Sequence, residues 1–359
     1  MWPTTSVIDL FQVKIPIIQA PMAGANGAAL AIAVSQAGGV GFLPCAMLSP
    51  ENARAEIALF RQQASGPLGL NFFCHENPTP DANRDTAWQQ RLAGYYEQAL
   101  LDPQMKIPAV NRAPFDDAMC AVVEAYQPEV VSFHFGLPEQ SLLERVKATG
   151  AVVLSSATTV AEARWLDARG CDAIIAQGYE AGGHRGMFLS DDINVQPGTF
   201  ALVPQVVDAV NVPVIAAGGI GDGRGIAAAF ALGAAGVQIG TAYLPTPQSL
   251  VSPLHRQALA EGRDDMTALT NIFSGRPARG IVNRIMREIG PISALAPAFP
   301  TAGGALAPLK AHAEKAGSAD FTSLWAGQAV ALGQAVDASE LTRRLADDAL
   351  RCMRGLGFA

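Results

Sequence analysis

The sequence predicts an α/β fold, a TIM (β/α)₈ barrel carrying a helical cap. Three observations predict it. Short apolar, β-branched runs recur eight times along the 359 residues. Segments of helical period separate them. Glycines or polar residues stand at nearly every run's C-terminal end, the face on which barrels carry their sites. Continuous apolar runs, unlike alternating ones, belong to parallel strands buried on both faces. Eight strand–helix units suit a closed barrel, with an open doubly wound sheet as the structural alternative.

In chain order the expected strands are Ile15–Gln19, Val40–Leu43, Leu68–Phe72, Val130–His134, Val152–Ser155, Ala173–Gln177, Val212–Ala216 and Val237–Gly240. The intervening helices are expected at Ala28–Ala37, Pro50–Ala64, Phe115–Tyr126, Pro138–Ala148, Val160–Arg169 and Asp222–Leu232. Two segments exceed a minimal barrel. One is an insertion from about 75 to 128, with an expected helix at Trp88–Leu101. The other follows strand eight, with expected helices at Ser252–Glu261, Asn283–Ile289, Pro308–Lys315, Phe321–Leu332 and Ala338–Met353. Residues 1–245 are therefore expected to form the barrel. Residues 246–359 are expected to pack on it as a cap together with the insertion, an unpaired cap helix being a candidate homodimer face.

Composition narrows the function. Half the residues are hydrophobic and 16% charged, enough for a large core and against wholesale disorder. The net charge is −7, with no Lys/Arg block, which disfavours nucleic acid as a partner. The five cysteines are scattered and include no Cys-x-x-Cys, as in a reducing compartment. Met1–Ser6 lacks a basic region followed by an apolar run, and no run is long enough to cross a bilayer. The expectation is a cytoplasmic protein with no membrane partner. No two histidines show metal-ligand spacing with a carboxylate, so no metal is expected.

The strand ends carry the chemistry. Gly218 and Gly219 after strand seven, with the helix starting near Asp222, form an expected phosphate cradle, extended by Gly240 and Thr241. Tight turns alone would explain one Gly-Gly pair; a second cluster one strand later favours a ligand. Asn71, Gln177 and Gln238 are amides ending apolar strands. They suit the polar edge of a flavin ring or its ribityl chain, or else bridge barrel layers to each other. Strand alternation puts Ser132 and His134 on one face. His134, at the barrel mouth, is the expected base or hydrogen-bond donor, against the plainer possibility of a satisfied core histidine. His75 and His184 orient loops, contact the ligand or face solvent.

Together these residues resemble the nitronate monooxygenases, class I, formerly 2-nitropropane dioxygenases. The resemblance rests on Gln19–Gly24, Asn71–His75, Ser132–Pro138, Ala176–Phe188, Ala216–Gly221, Gln238–Thr241 and Ser323–Gln328, and covers most of the chain. Its most specific parts are Gln177–Gly186 and Phe133–Gly136. The resemblance implies a TIM barrel holding FMN noncovalently. It implies oxidation of alkyl nitronates, propionate 3-nitronate foremost, by O₂ to a carbonyl compound and nitrite or nitrate, as a detoxification. It implies that Met22, Asn71, Gln177, Gly182, Gly183, Gly218, Gly219, Gln238, Gly240 and Thr241 line the FMN site and that His134 is catalytic. Arg185 and Lys310 are candidate anchors for a substrate carboxylate. Two alternatives remain: an FMN-dependent enoyl-acyl-carrier-protein reductase using NAD(P)H, and a non-catalytic barrel binding FMN or phosphate.

Overall fold

The computed structural model describes residues 1–108 and 112–357. In chain order the elements are α1 (Ser6–Phe11), β1 (Ile17–Gln19), α2 (Ala28–Ala37), β2 (Gly41–Pro44), α3 (Pro50–Gln63), β3 (Leu68–Phe73), α4 (Ala82–Gln98), α5 (Asp117–Tyr126) and β4 (Val130–His134). They continue with α6 (Gln140–Ala148), β5 (Val152–Ala157), α7 (Val160–Asp167), β6 (Ala173–Gln177), β7 (Gly183–His184), α8 (Thr199–Val207), β8 (Val214–Ala217), α9 (Gly223–Ala231) and β9 (Gly236–Ile239). The C-terminal part holds α10 (Pro253–Ala260), β10 (Thr267–Thr270), β11 (Ala278–Ile281), α11 (Arg284–Ile289), α12 (Ala307–Lys315) and α13 (Ala338–Gly355).

Eight strands form one parallel sheet in the order β1-β9-β8-β6-β5-β4-β3-β2. An Ile18–Val40 bridge joins its two ends and closes the barrel. All eight match expected runs to within a few residues. The interior is apolar: Ile18, Val130, Leu154, Ile175 and Ile215 share one buried cluster with Val7 and Phe11. Helix α1, absent from the expectation along with α8, thereby packs on the barrel's interior core. Register brings the amides to one level. Ala217 pairs with Gln177 on one side and Gln238 on the other, while Asn71 pairs with Ser132.

The cap departs from expectation in three ways. It contains a three-stranded antiparallel sheet, β10-β11-β7, whose outer strand β7 is part of the glycine-rich loop after β6. That pairing ties the cap to the barrel's mouth. Phe321–Leu332, expected as a helix, is irregular up to a short 3₁₀ turn at Val330–Leu332, and Trp325 bridges to Gly280. The apolar side chains there are buried by cleft and cap instead of by a helix face. Finally, residues 246–359 are not all cap. Helix α13 packs against α2 and α9, with Leu341, Leu345, Ala349 and Met353 in the main barrel core. It completes the ring of helices around the sheet. Among the described residues no helix is long and apolar enough to cross a membrane.

Candidate active site

A cleft of about 460 Å³ lies between the strands' C-terminal ends and the cap. It is within the usual size range of small-molecule sites. Its wall includes His134, Met22, Asn71, Gln177, Gly182, Gly183, Gly218, Gly219, Gln238, Gly240, Thr241 and Lys310. Every sequence-derived site residue except Arg185 therefore reaches one cavity.

Arg185 is a correction. Its side chain is fully buried, and all three guanidinium nitrogens are engaged inside the protein. Nε donates to Gln196 Oε1 (2.7 Å), Nη1 to the Gly178 carbonyl (2.6 Å) and Nη2 to the Gln177 carbonyl (2.8 Å). It braces the loop after β6 and is sealed away from the cleft, out of a substrate's reach. Lys310 lines the cleft but is half-exposed, with Glu314 3.9 Å away.

The glycines at the β8 end are required by geometry. Gly218 has φ +108°, and a Cβ there would lie 3.0 Å from Thr199 Oγ1 and 3.1 Å from the Ala181 nitrogen. Only glycine fits that turn without strain. Among the described residues the N–H groups of Gly218, Gly219 and Gly240 find no protein acceptor. The start of α9 contributes less than expected. Asp222 caps it, accepting from the Arg224 and Gly225 N–H groups, so those donors are already used.

The three amides differ. Gln177 is satisfied within the protein: its Nε2 donates to the His184 carbonyl (3.0 Å) and its Oε1 accepts from the Gly186 N–H (2.7 Å). Asn71 donates to Ser132 Oγ (2.8 Å). Gln238 Oε1 is sealed from solvent with no donor among the described residues. A buried acceptor left unmatched costs about 1–3 kcal/mol. Such an atom on a cleft wall fits a ligand N–H. With the unbonded glycine N–H groups nearby, the donor set fits a flavin with its phosphate.

His134 ends β4. Its Nε2 lies 3.2 Å from the His184 carbonyl oxygen, so Nε2 carries the hydrogen, and Nδ1 accepts from Ser156 Oγ at 3.1 Å. The next residue, Phe135, has φ +71°, a strained conformation for a bulky side chain. It is held there by packing against Phe73 and Phe299 and by Arg276, whose guanidinium sits 4.2 Å from its ring centroid. Burial drives the His134 imidazole down to about 4, its bond to the His184 carbonyl opposes this, and Arg276 and Arg185 push it lower. His134 is thus neutral near pH 7. His184, also on the cleft wall, is pushed well below its ordinary value by burial and then by Arg112.

Several cleft residues escaped the sequence reading: Arg112, Ser156, His255, Ser323 and Trp325. Arg112 lies between two prolines in the insertion, with no local motif to single it out. Trp325 and Ser323 fall in the segment misread as a helix, although Ser323–Gln328 did contribute to the resemblance. Gly182 shows why that segment runs where it does. A Cβ on Gly182 would come within 2.5 Å of the Gly327 nitrogen, and Gly327 N–H donates to Thr241 Oγ1 (2.8 Å). The C-terminal segment lies directly on the glycine loop.

Comparisons with known proteins show the family and the fold. The family model described as nitronate monooxygenase matches residues 4–348. The chain is 39% identical to the nitronate monooxygenase of Pseudomonas aeruginosa, over 94% of this chain and 97% of that one. It is 40% identical to that of Paraburkholderia phytofirmans, over 95% and 93%. Among solved structures, the nitroalkane oxidase from Streptomyces ansochromogenes superposes with a TM-score of 0.88 at 38% identity, covering 98% of this chain and 99% of that one. FabK from Thermotoga maritima reaches 0.73 at 27% identity, covering 98% of both.

Proposed function

The chain belongs to the nitronate monooxygenase family and is an oxidoreductase, and we propose that it oxidises alkyl nitronates, propionate 3-nitronate foremost, with O₂ on an FMN held in this cleft. The products are a carbonyl compound and nitrite or nitrate, so the activity removes a toxic nitronate. The observation that carries the cofactor assignment is the unmatched Oε1 of Gln238, a residue on the wall of a cleft whose glycine N–H groups also lack acceptors among the described residues. Asn71 and Gln238 would meet the polar ring edge. Gly218, Gly219, Gly240 and Thr241 would meet the phosphate, and Met22, Gly182, Gly183 and Gln177 would shape the remaining wall. Bound FMN supplies the redox chemistry, accepting electrons from the substrate and returning them to O₂.

The protein's part follows from His134. An imidazole held near 4 is a weak base, poorly matched to abstracting a proton from carbon at neutral pH. A nitronate has already lost that proton. The neutral ring instead offers its Nε2–H, now shared with the His184 carbonyl across a long 3.2 Å bond, to a nitronate oxygen. Ser156, bonded to Nδ1, holds the ring plane, and the His184 carbonyl, which can only accept, sets the tautomer.

The test is anaerobic mixing of the purified protein with propionate 3-nitronate while the visible flavin band is followed, with NADH as a control. Loss of the band with the nitronate and not with NADH supports the proposal. Reduction by NADH alone moves the assignment to an enoyl-acyl-carrier-protein reductase. A flavin-bearing protein inert to both is a binding barrel. A colourless protein that also fails to take up added FMN removes the cofactor assignment.

A further inference from the structure

We propose that Arg112 binds a second, remote anionic group of the substrate, so that the cleft selects nitronates bearing a carboxylate; this rests on the nitronate reading above. Arg112 lies on the cleft wall, its guanidinium 5.9 Å from the centroid of the Phe299 ring. One of its terminal nitrogens, Nη1, is sealed from solvent and has no acceptor among the described residues. His75 Nε2 donates to the Arg112 carbonyl (3.1 Å) and holds its backbone against the aromatic wall.

Its charge environment sets it apart from the other shielded arginines around the cleft. Arg185 has Glu180 and Glu162 near it, Arg276 has Asp191 and Glu162, and Arg279 has Glu180. At Arg112 burial is the cause of the lowering, with no carboxylate contributing among the described residues. Removing a cation from water without a counter-charge is costly, and a carboxylate reaching a guanidinium restores the pair with two parallel hydrogen bonds. Lys310 is the competing anchor, but Glu314 stands 3.9 Å away and half-exposure screens it. The Glu314 carboxylate also accepts from Thr322 Oγ1 (2.8 Å).

The test compares two substrates, propionate 3-nitronate and propyl 1-nitronate, in the wild-type holoenzyme, R112Q and R112K. It adds calorimetric binding of two inert probes, succinate and butyrate, which differ in the second carboxylate. Flavin content and Tm of each variant report folding. We expect R112Q to lower the kcat/KM ratio of the carboxylate-bearing over the carboxylate-free nitronate by about 30-fold or more. R112K should recover part of it. R112Q should also abolish a wild-type preference of succinate over butyrate. Nitronates consumed with both ratios unchanged in a folded R112Q overturn the Arg112 assignment and leave the activity standing. No nitronate consumed, with a succinate preference that R112Q removes, overturns the activity and leaves Arg112 as the anion anchor.

Discussion

His134 is the residue whose environment defines its use. The strained Phe135 fixes the chain behind it, the His184 carbonyl fixes its tautomer, and burial keeps it neutral. If it holds nitronate oxygens, H134N keeps a donor and loses little with nitronates, less than about tenfold in kcat/KM. Residual proton abstraction from neutral nitroalkanes should fall by about 100-fold or more, with FMN content unchanged. Steady-state kinetics with a nitroalkane and its preformed nitronate decides this, and equal losses on both would remove the distinction. Gln238 makes a second, opposite pair of expectations. Replacing it by Leu deletes an unmatched buried acceptor, so the apo-protein should melt at the same or a higher temperature. The same change should weaken FMN binding by about tenfold, readable as flavin fluorescence recovered on dilution. A lower apo Tm with unchanged FMN affinity would make Gln238 a structural bridge only.

Among the elements, α13 is the one whose place changes how the chain is divided. Leu341, Leu345 and Met353 are buried against the barrel, each stabilising it by about 2 kcal/mol. Together that is a large share of a domain's net stability. A chain ending at Leu332 should therefore lose cooperative unfolding of the barrel itself, and L345A should cost about 2–4 kcal/mol by chemical denaturation with FMN affinity intact. A truncated protein that melts as a folded barrel would return α13 to the cap. The eight barrel strands were legible because each is a continuous apolar run of fixed hand and spacing. Helix α13 was legible as a helix from its period, but period does not name a partner, so its docking on α2 and α9 was not. The cap sheet was illegible for a different reason: β7 is two residues long and β10 and β11 four each, too short for alternation to emerge. In the site, glycines and strand-end amides announced themselves. Which arginine is engaged and which lacks a counter-charge depends on Gln196, Glu162 and Glu180, all distant in sequence from Arg112.

At the scale of the whole molecule, four shielded histidines lie along the seam between barrel and cap: His75, His134, His184 and His255. Burial is the first cause in each, holding His75, His134 and His255 at about 4 and His184 well below its ordinary value. In the unfolded chain a histidine titrates near 6.5. Below that pH the unfolded state binds protons that the folded state refuses, so stability is full above about 7 and declines as pH falls toward 4. Each histidine adds at most about 1.4 kcal/mol per pH unit to that slope. The acidic groups with lowered values, Asp222 and Asp337 among them, act in the same direction but only near and below their unfolded values of about 4. Between pH 7 and 5 the histidines therefore dominate. Tm measured across pH 5–8 should be flat above 7 and fall below 6.5. H255Q, which removes a ring whose Nε2 has no partner among the described residues, should flatten the fall. A wild-type Tm constant down to pH 5 would mean that folded and unfolded chains bind protons equally there, so that the seam does not hold these histidines below their ordinary value.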